Sequence, residues 1–445
     1  MGGDNETATI AAVATGASRG GVAVVRVSGP RALEAALALT QVERPPKPRY
    51  AYLTPVRTHA GQLLDEGLFL YFAAPHSLTG EEVVELQLHG NWHLAQAVLR
   101  EVLSTPGVRM AQPGEFTRRA FLNGRMDLAR AEAVGDLVLA ESEAAQRAAA
   151  AQLCGELSAR IKDLRTPLLA LCADVEGVLN FPDEAEGAAE TLAPRIAQLA
   201  QKARAMLGEA KRGRLLRDGA RVVIFGPPNA GKSSIFNRLC GDSRALVDAE
   251  PGTTRDALEA RLLLFGCAVT VVDTAGLRET NARVEALGVD KAREEIRRAD
   301  VAVLVLPPDA REAEAELWEA EATGASLLRV RSKADLVPLE ARTAQGQYVS
   351  AVTQEGIDAL REHLGEELGI GGHAEWAGAI SGRHADALSR VSSALDSAAE
   401  AERLSTLEVV AGELHDALLA LGEITGETAT QEVLDAIFAR FCIGK

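Results

Sequence analysis

The residues with the clearest chemistry lie at 226–233, where GPPNAGKS fits the pattern G-x-x-x-x-G-K-[S/T] at every fixed position. In such a loop, glycines let backbone N–H groups face phosphate oxygens, Lys232 adds positive charge at the β- and γ-phosphates, and Ser233 offers a hydroxyl to Mg²⁺. The apolar run at 222–225 predicts a buried strand before the loop, and 234–239 predicts a helix whose N-terminus faces the phosphates. The chain is therefore predicted to bind a nucleoside triphosphate.

A second group of residues is suited to the metal and the γ-phosphate. Residues 269–272 predict a strand that ends in a D-x-x-G motif, Asp273-Thr274-Ala275-Gly276. This motif puts a carboxylate near Mg²⁺ and a glycine N–H beside the γ-phosphate. The loop at 252–256 lies between the two motifs and could close over the nucleotide, with Thr254 as a second metal ligand.

The choice of base depends on Asp335. Its segment, Ser332-Lys333-Ala334-Asp335, follows a predicted strand at 327–330, and Ser350-Ala351 follow the last predicted strand. A carboxylate accepts hydrogen bonds from both N1–H and the 2-amino group of guanine, a donor pair that adenine lacks. The sequence predicts GTP rather than ATP.

Hydrolysis requires charge over the γ-phosphate and an oriented water molecule. The position after the D-x-x-G motif is Gln in Ras-like GTPases, but here it is Leu277, which supplies neither. Asn229 could bind a monovalent cation, and Glu285 could orient the water. Equally, Asn229 could be a tolerated loop residue and Glu285 a solvated helix charge. The residues alone leave both alternatives open.

The elements that position these groups are predicted to form several domains, because 445 residues are too many for one core. The predicted fold is multidomain: an α/β N-terminal domain, an all-α helical domain, and an inserted, doubly wound α/β Ras-like G domain. The predicted boundaries are 1–125 for the N-terminal domain, 126–215 and 371–445 for the two helical halves, and 216–370 for the G domain. We also expect a helix at 191–207 and a basic, glycine-containing connection at 211–214.

Composition narrows the class of protein. The chain is 47% hydrophobic but only 4% aromatic, which is typical of a helix-rich globular protein. Its longest apolar runs are strand-sized and it lacks a signal peptide, so we expect no membrane span and a cytoplasmic location. Five dispersed cysteines without C-x-x-C spacing argue against a disulfide framework or a zinc site. Cys442 could be a nucleophile, but a structural role as a small buried residue explains it equally well, so we give it no catalytic role. A net charge of −16 argues against binding RNA by bulk electrostatics.

Segments outside the nucleotide motifs resemble the tRNA-modification GTPase family MnmE, also called TrmE, over essentially the whole length. A generic GTPase does not require a C-terminal Cys-x-Gly-Lys, so this ending is a specific signature of the family. The segments are GGV at 20–22, RVSG at 26–29, LTGEE at 78–82, PGEFT at 113–117, RAFLNGRMDL at 119–128, ITGE at 424–427 and FCIGK at 441–445.

The resemblance implies a folate-binding, dimerising N-terminal domain and K⁺-stimulated GTP hydrolysis when two G domains meet. It implies a homodimer that joins an FAD-dependent MnmG-type partner in a heterotetramer. Such a complex adds an aminomethyl-type (carboxymethylaminomethyl) group to C5 of the wobble uridine of certain tRNAs. The one-carbon unit would come from a tetrahydrofolate derivative, either 5-formyl or 5,10-methylene.

The same resemblance implies site residues and favours the functional alternative for both Asn229 and Glu285. Glu285 is implied as the catalytic residue, and Mg²⁺ would be held by Ser233 and Thr254. The implied K⁺ ligands are the side chains of Asn229 and Thr253 with backbone oxygens of Asp248 and Glu250. The implied folate contacts are Arg26, Glu85, Arg125 and Lys445. The implied GTP contacts are Asn229, Ala230, Gly231, Lys232, Ser233, Ser234, Asp248, Ala249, Glu250, Pro251, Gly252, Thr253, Thr254, Asp273, Thr274, Ala275, Gly276, Ser332, Lys333, Asp335, Ser350 and Ala351.

This chain departs from the family pattern at two of these positions. The family's Asn-Lys-x-Asp motif begins here with Ser332, which has no amide, so we expect weaker GTP binding than Asn would give. Arg125 stands where some members have Lys, which keeps the charge but changes the hydrogen-bonding geometry.

Two other functions compete with a tRNA-modifying GTPase. One is a nucleotide-dependent switch that assembles partners, in which hydrolysis only resets the switch. The other is an RNA-binding GTPase of ribosome assembly, which predicts a basic appendix that this acidic chain lacks. Rapid turnover in KCl favours the enzyme over the assembly switch.

Overall fold

A computed structural model describes residues 8–17, 19–180, 192–241, 258–274, 293–322, 324–342, 346–370, 381–404 and 406–444. The chain divides into two compact units. The first comprises Met1–Leu139, Gln152–Leu199 and Ser393–Lys445, and the second comprises Ala140–Ala151 and Ala200–Ser392. The predicted domain boundaries stay predictions.

The first unit contains a six-stranded sheet in the order β3-β4-β5-β2-β1-β6. Neighbouring strands are antiparallel except for the parallel pair β1 and β6. The pairing of β2 with β5 sets Arg26 opposite Glu85. The strands are Thr9–Val13 (β1), Val22–Ser28 (β2), Ala51–Arg57 (β3), Leu63–Phe72 (β4), Val83–His89 (β5) and Val108–Met110 (β6).

The helix Trp92–Leu103 packs on this sheet for reasons visible in its sequence. Asn91 caps it by accepting hydrogen bonds from the backbone N–H groups of His93 and Leu94. Its buried residues, Ala95, Val98, Leu99 and Val102, recur at the spacing of one helical face. The other helices of this unit are Ala32–Leu37, Glu115–Leu122, Leu128–Leu139, Glu156–Asn180, Leu407–Thr425 and Gln431–Phe438.

The long helices Glu156–Asn180 and Leu407–Thr425 pack against each other. The first buries one residue every three or four positions from Leu157 to Val175. The short helix Gln431–Phe438 buries Leu434 and Phe438 in a cluster with Leu128. The predicted two-part helical region therefore has a shared apolar core within the first unit.

The helix Leu192–Asp218 has residues in both units, as does Gly382–Arg403. The connection predicted at 211–214 is wrong, because Leu192–Asp218 continues through it. A glycine inside a helix costs only about 1 kcal/mol relative to Ala, which a helix of 27 residues tolerates. Within the described residues, no helix combines the length and the apolar character needed to cross a membrane.

The second unit contains a six-stranded sheet in the order β12-β11-β10-β7-β9-β8. Neighbours are parallel except β8, which pairs antiparallel with β9 and was not predicted. The strands are Ala220–Phe225 (β7), Leu258–Leu264 (β8), Cys267–Asp273 (β9), Val301–Leu306 (β10), Ser326–Arg331 (β11) and Gln347–Tyr348 (β12).

Alternate residues of the central strand β7 point to opposite faces of this sheet. Val222 and Ile224 join an apolar cluster on one face, and Val223 and Phe225 join a second cluster on the other. A parallel strand that is buried on both faces is typical of a doubly wound sheet. The predicted fold class is thereby confirmed. Further helices of this unit include Lys232–Gly241, residues 293–298, Glu312–Glu319 and Ile357–Glu367, and Glu143–Leu153 lies in it except for its last two residues.

Candidate nucleotide site

The phosphate loop follows the carboxyl end of β7, in the middle of the parallel strands. Gly226 has φ +136°, and a Cβ there would lie 2.2 Å from the backbone oxygen of Val305, so only glycine fits. Lys232 begins the helix Lys232–Gly241 and is 6% exposed. Its Nζ donates to the backbone oxygens of Gly226 and Pro227, at 3.0 and 2.7 Å. The ammonium group is therefore held inside the loop that would wrap the phosphates.

The metal end of the site joins two predicted residues. The register of β7 and β9 places Asp273 beside Ile224, at the same sheet edge as the phosphate loop. Ser233 Oγ donates to Asp273 Oδ2 at 2.6 Å. Thr274 Oγ1 donates to the backbone oxygen of Ile224 at 3.0 Å, which ties the two strand ends together. A hydroxyl and a carboxylate in contact fit Mg²⁺, which takes oxygen ligands and completes its shell with phosphates and water.

The base end of the site is built from two loops. Asp335 lies in the loop after β11, and Ser350 follows β12. Ser350 Oγ donates to Asp335 Oδ1 at 2.5 Å and also accepts hydrogen bonds from the backbone N–H groups of Val352 and Thr353. One carboxylate edge is thus fixed by the protein, and acceptor capacity remains for a base.

A cavity of about 280 Å³ connects this base end with the phosphate loop. Gly231 and Ser234 line it from the phosphate side, and Asp335 lines it from the base side. The other lining residues are Ile235, Ser332, Lys333, Leu336, Ala351 and Val352.

The Ser332 hydroxyl bonds within the protein and does not replace the Asn amide of the family motif. Ser332 is 2% exposed, and its hydroxyl donates to the backbone oxygen of Leu306 at 3.1 Å. We expect Ser332→Asn to tighten GDP binding by roughly 3- to 10-fold, because the longer amide can donate to guanine N7. Calorimetric titration measures the change, with Ser326→Asn, at the exposed start of the strand β11 that precedes Ser332, as control. An unchanged dissociation constant would exclude this account of Ser332.

Two arginines near the base end had no signal in the sequence. Arg238, on the helix Lys232–Gly241, donates through Nε and Nη2 to the backbone oxygen of Ala351, each at 3.2 Å. Arg342 contacts both base-end loops through Ala334 and Glu355. Their partners lie far away in sequence or in separate loops, so no local spacing could have identified them.

Several predicted site residues lie outside the described residues. Among them is the catalytic candidate Glu285, so its position relative to the cavity stays a prediction. The others are Asp248, Ala249, Glu250, Pro251, Gly252, Thr253, Thr254, Ala275, Gly276 and Lys445. Asn229 is described: it is exposed, with φ +59°.

The folate candidates belong to the first unit. Arg26 Nε pairs with Glu85 Oε1 at 2.9 Å, and Arg26 Nη1 donates to the backbone oxygen of Gly444 at 3.4 Å. The guanidinium also lies 5.7 Å from the centre of the Phe116 ring. Arg125 is exposed and makes no ion pair within the described part of the chain. The structure thus joins Arg26, Glu85 and the C-terminal tail but leaves Arg125 unconnected to them.

The C-terminal tail differs from one expectation. Cys442 is exposed rather than buried. Its backbone oxygen accepts a hydrogen bond from the N–H of Gly114 at 3.4 Å, and the neighbouring Phe441 packs on Phe438. The aromatic residues therefore provide the packing that was expected of the cysteine.

The motif residues of the N-terminal region include a buried ionic network. Arg119 donates to Glu81, at 3.1 Å, and to Glu115, at 2.9 Å. Arg109 also donates to Glu115, and Ser28 Oγ donates to Glu81 at 2.7 Å. Burial alone would raise the pKa of Glu115, but hydrogen bonds from Arg109, the Gln112 N–H and Arg119 outweigh it and lower the pKa. The network joins β2, through Ser28, to Glu81 and to the helix Glu115–Leu122.

Comparisons with known proteins identify relatives of every part of the chain. The model for the MnmE helical domain matches residues 128–442, and that for the GTP-binding protein TrmE N-terminus matches residues 9–125. The tRNA modification GTPase MnmE of Myxococcus xanthus is 55% identical over 438 residues, which cover 98% of this chain and 99% of the relative. The protein of the same name from Marinobacter nauticus is 42% identical and covers 99% of each chain.

Solved structures give a weaker likeness. The G domain of the T. maritima FeoB iron transporter is 24% identical and covers 33% of this chain and 98% of that chain. Its TM-score is 0.26, which is too low to say anything about function.

Proposed function

Because this chain belongs to the family of tRNA modification GTPases called MnmE, we propose that it hydrolyses GTP and that hydrolysis serves the modification of tRNA. The observation that carries the proposal is the single cavity lined by Gly231 and Ser234 on one side and by Asp335 on the other. It offers a phosphate loop and a guanine-selective carboxylate to one ligand.

The chemistry of the site supports GTP with Mg²⁺. Lys232 and the backbone N–H groups of the loop would neutralise the phosphates, and Ser233 with Thr254 would hold the metal. Asp273 keeps the Ser233 hydroxyl oriented at 2.6 Å. Glu285 would position the attacking water, since Leu277 has no polar group.

We further propose that K⁺ supplies the positive charge that hydrolysis needs. Asn229 is exposed on the phosphate loop, with φ +59°, so its side chain is accessible to an ion. Thr253 and the backbone oxygens of Asp248 and Glu250 would complete the shell. Two G domains of a homodimer would enclose the ions during turnover.

The remaining part of the proposal concerns the reaction on tRNA. Together with an FAD-dependent MnmG-type partner in a heterotetramer, the chain would add an aminomethyl-type group to C5 of the wobble uridine. A tetrahydrofolate derivative, 5-formyl or 5,10-methylene, would supply the carbon. Glu85 can accept hydrogen bonds and Arg26 can bind a carboxylate, so both fit such a ligand, together with Arg125 and Lys445. The proposed location is the cytoplasm.

Turnover in K⁺ and Na⁺ tests the cation role. We expect GTP hydrolysis to be about 10-fold or more faster in KCl than in NaCl at equal ionic strength, because the proposed shell would hold K⁺ over the γ-phosphate, where its charge accelerates phosphoryl transfer, and would hold the smaller Na⁺ poorly. The variant Asn229→Gly removes the side chain without straining the left-handed backbone, and it should lose the K⁺ advantage while still binding GDP. Equal rates in the two salts for the wild type would refute the cation role.

The same assay separates the proposal from an assembly switch. GTP turnover in KCl is measured with and without the flavoprotein partner. An enzyme that couples hydrolysis to modification turns GTP over rapidly in KCl. A switch whose hydrolysis only resets the cycle stays slow under both conditions.

A further inference from the structure

Recognition of the base depends on how two loops are held against each other. One loop, 332–335, carries Asp335, and the other, 350–355, carries Ser350. The second loop is a closed turn, since the Ser350 N–H donates to the backbone oxygen of Glu355 at 2.9 Å. The Asp335 carboxylate takes its orientation from Ser350 Oγ across the gap. A shift of either loop would therefore move the carboxylate relative to the base.

Ser332 does not link these loops. Its N–H and its hydroxyl both donate to the backbone oxygen of Leu306, at 2.9 and 3.1 Å. Leu306 ends β10, so Ser332 anchors the first loop to the neighbouring strand and not to the second loop.

Arg342 contacts both loops. Its Nη2 donates to the backbone oxygen of Ala334 at 3.0 Å, and its Nε donates to that of Val337 at 3.3 Å. These two residues lie on either side of Asp335. The same guanidinium forms a two-point ion pair with Glu355, with Nη2 3.2 Å from Oε2.

The surroundings of Arg342 keep this geometry in place. Its guanidinium lies 5.3 Å from the centre of the Tyr348 ring, on the strand that leads into the second loop. Its side chain is only 17% exposed. The hydrogen bond from Arg342 lowers the pKa of Glu355, so the pair stays ionised at neutral pH.

We propose that Arg342, held by Glu355, is a positioning residue that sets the Asp335 carboxylate against guanine and so determines base specificity. The inference rests on the proposed binding of guanine nucleotides at this site. An arginine suits the task because its planar fork reaches two carbonyls and a carboxylate at once, which a lysine ammonium cannot do. An exposed ion pair without these backbone contacts would contribute little.

The test compares GDP with IDP, whose base lacks the 2-amino group that Asp335 would accept from. In Arg342→Ala we expect GDP affinity to fall about 10-fold and IDP affinity to fall less, because guanine loses two hydrogen bonds to Asp335, from N1–H and the 2-amino group, whereas hypoxanthine has only the N1–H bond to lose. Calorimetric titration of the full chain gives both dissociation constants. The control is Arg329→Ala, which removes an equally buried arginine paired with Glu312 and Glu319, away from the base-end loops.

A second variant keeps the test decisive if Arg342→Ala unfolds the domain. Glu355→Gln retains the size of the side chain but removes the charge that holds Arg342, and it should lower the GDP-to-IDP preference in the same direction. An unchanged preference in the folded variants, or an equal loss for both nucleotides, would overturn the positioning role. If the wild type binds neither nucleotide, the proposed GTP function fails instead.

Discussion

Asp335→Asn is expected to lower GDP affinity about 100-fold, equal to about 2.7 kcal/mol, and to create affinity for xanthosine diphosphate. In the wild type, Ser350 Oγ donates to Asp335 Oδ1 at 2.5 Å. The oxygen of the Asn amide can accept the same hydrogen bond, so the loop should keep its position. The amide can no longer accept from the 2-amino group of guanine, whereas its NH₂ can donate to the carbonyl that xanthine has there. Calorimetric titration with both nucleotides measures the exchange.

The control for this prediction is Asp358→Asn. Asp358 is 92% exposed in the same unit and pairs with Arg361, so its replacement removes one negative charge without touching the base-end loops. GDP binding that survives Asp335→Asn at full strength would show that another group reads the base.

The second large effect concerns the ionic network of the first unit. Replacing Arg119 by Ala should cost about 3 kcal/mol of stability, because Glu81 and Glu115 lose their shared cation and Glu115 is left with Arg109. The loss of stability in Arg119→Ala is measured by hydrogen exchange of β1 and of the helix Glu115–Leu122 in the full chain. Hydrogen exchange is used because a two-unit protein has no single unfolding transition.

The adjacent Arg118 provides a matched control on the same helix. It pairs with Asp435 at 3.1 Å, but Asp435 is 57% exposed, so Arg118→Ala should cost at most about 1 kcal/mol. Similar losses of protection in the two variants would refute the special role of the buried network.

The network also gives stability a pH dependence of known sign. The pKa of Glu115 is lower in the folded chain than the ordinary value of 4.5. Its contribution is therefore complete above pH 4.5 and is lost as the pH falls through the lower folded value. The Arg119→Ala variant should lose only part of this acid sensitivity, because the hydrogen bonds from Arg109 and from the Gln112 N–H to Glu115 remain.

Much of the fold and the phosphate half of the site could be predicted from local sequence. The phosphate loop is contiguous, and its glycines and Lys232 act within a few residues of one another, so their pattern was sufficient. The strands predicted at 222–225 and 269–272 lie within Ala220–Phe225 and Cys267–Asp273, because inner strands of a parallel sheet take near-continuous apolar runs. The helix expected at 191–207 is found as the first part of Leu192–Asp218.

Contacts between distant residues could not be predicted in this way. Arg119 meets Glu81 across 38 positions, and Arg342 meets Glu355 across a strand and a turn. β8 was missed because its sequence, LEARLLL, has no β-branched or aromatic residue, and it forms an edge strand by pairing with β9. The basic segment at 211–214 was taken for a connection, although the helix Leu192–Asp218 continues through it.

The central claim is that GTP hydrolysis at this site drives the modification of tRNA, and nucleoside analysis of tRNA tests it most directly. Cells that lack this chain receive either the wild type or Glu285→Ala, and the wobble uridine is analysed by mass spectrometry. We predict a C5-modified uridine with the wild type and an unmodified one with Glu285→Ala, which should still bind GDP. Full modification with Glu285→Ala, or none with the wild type, would contradict the claim.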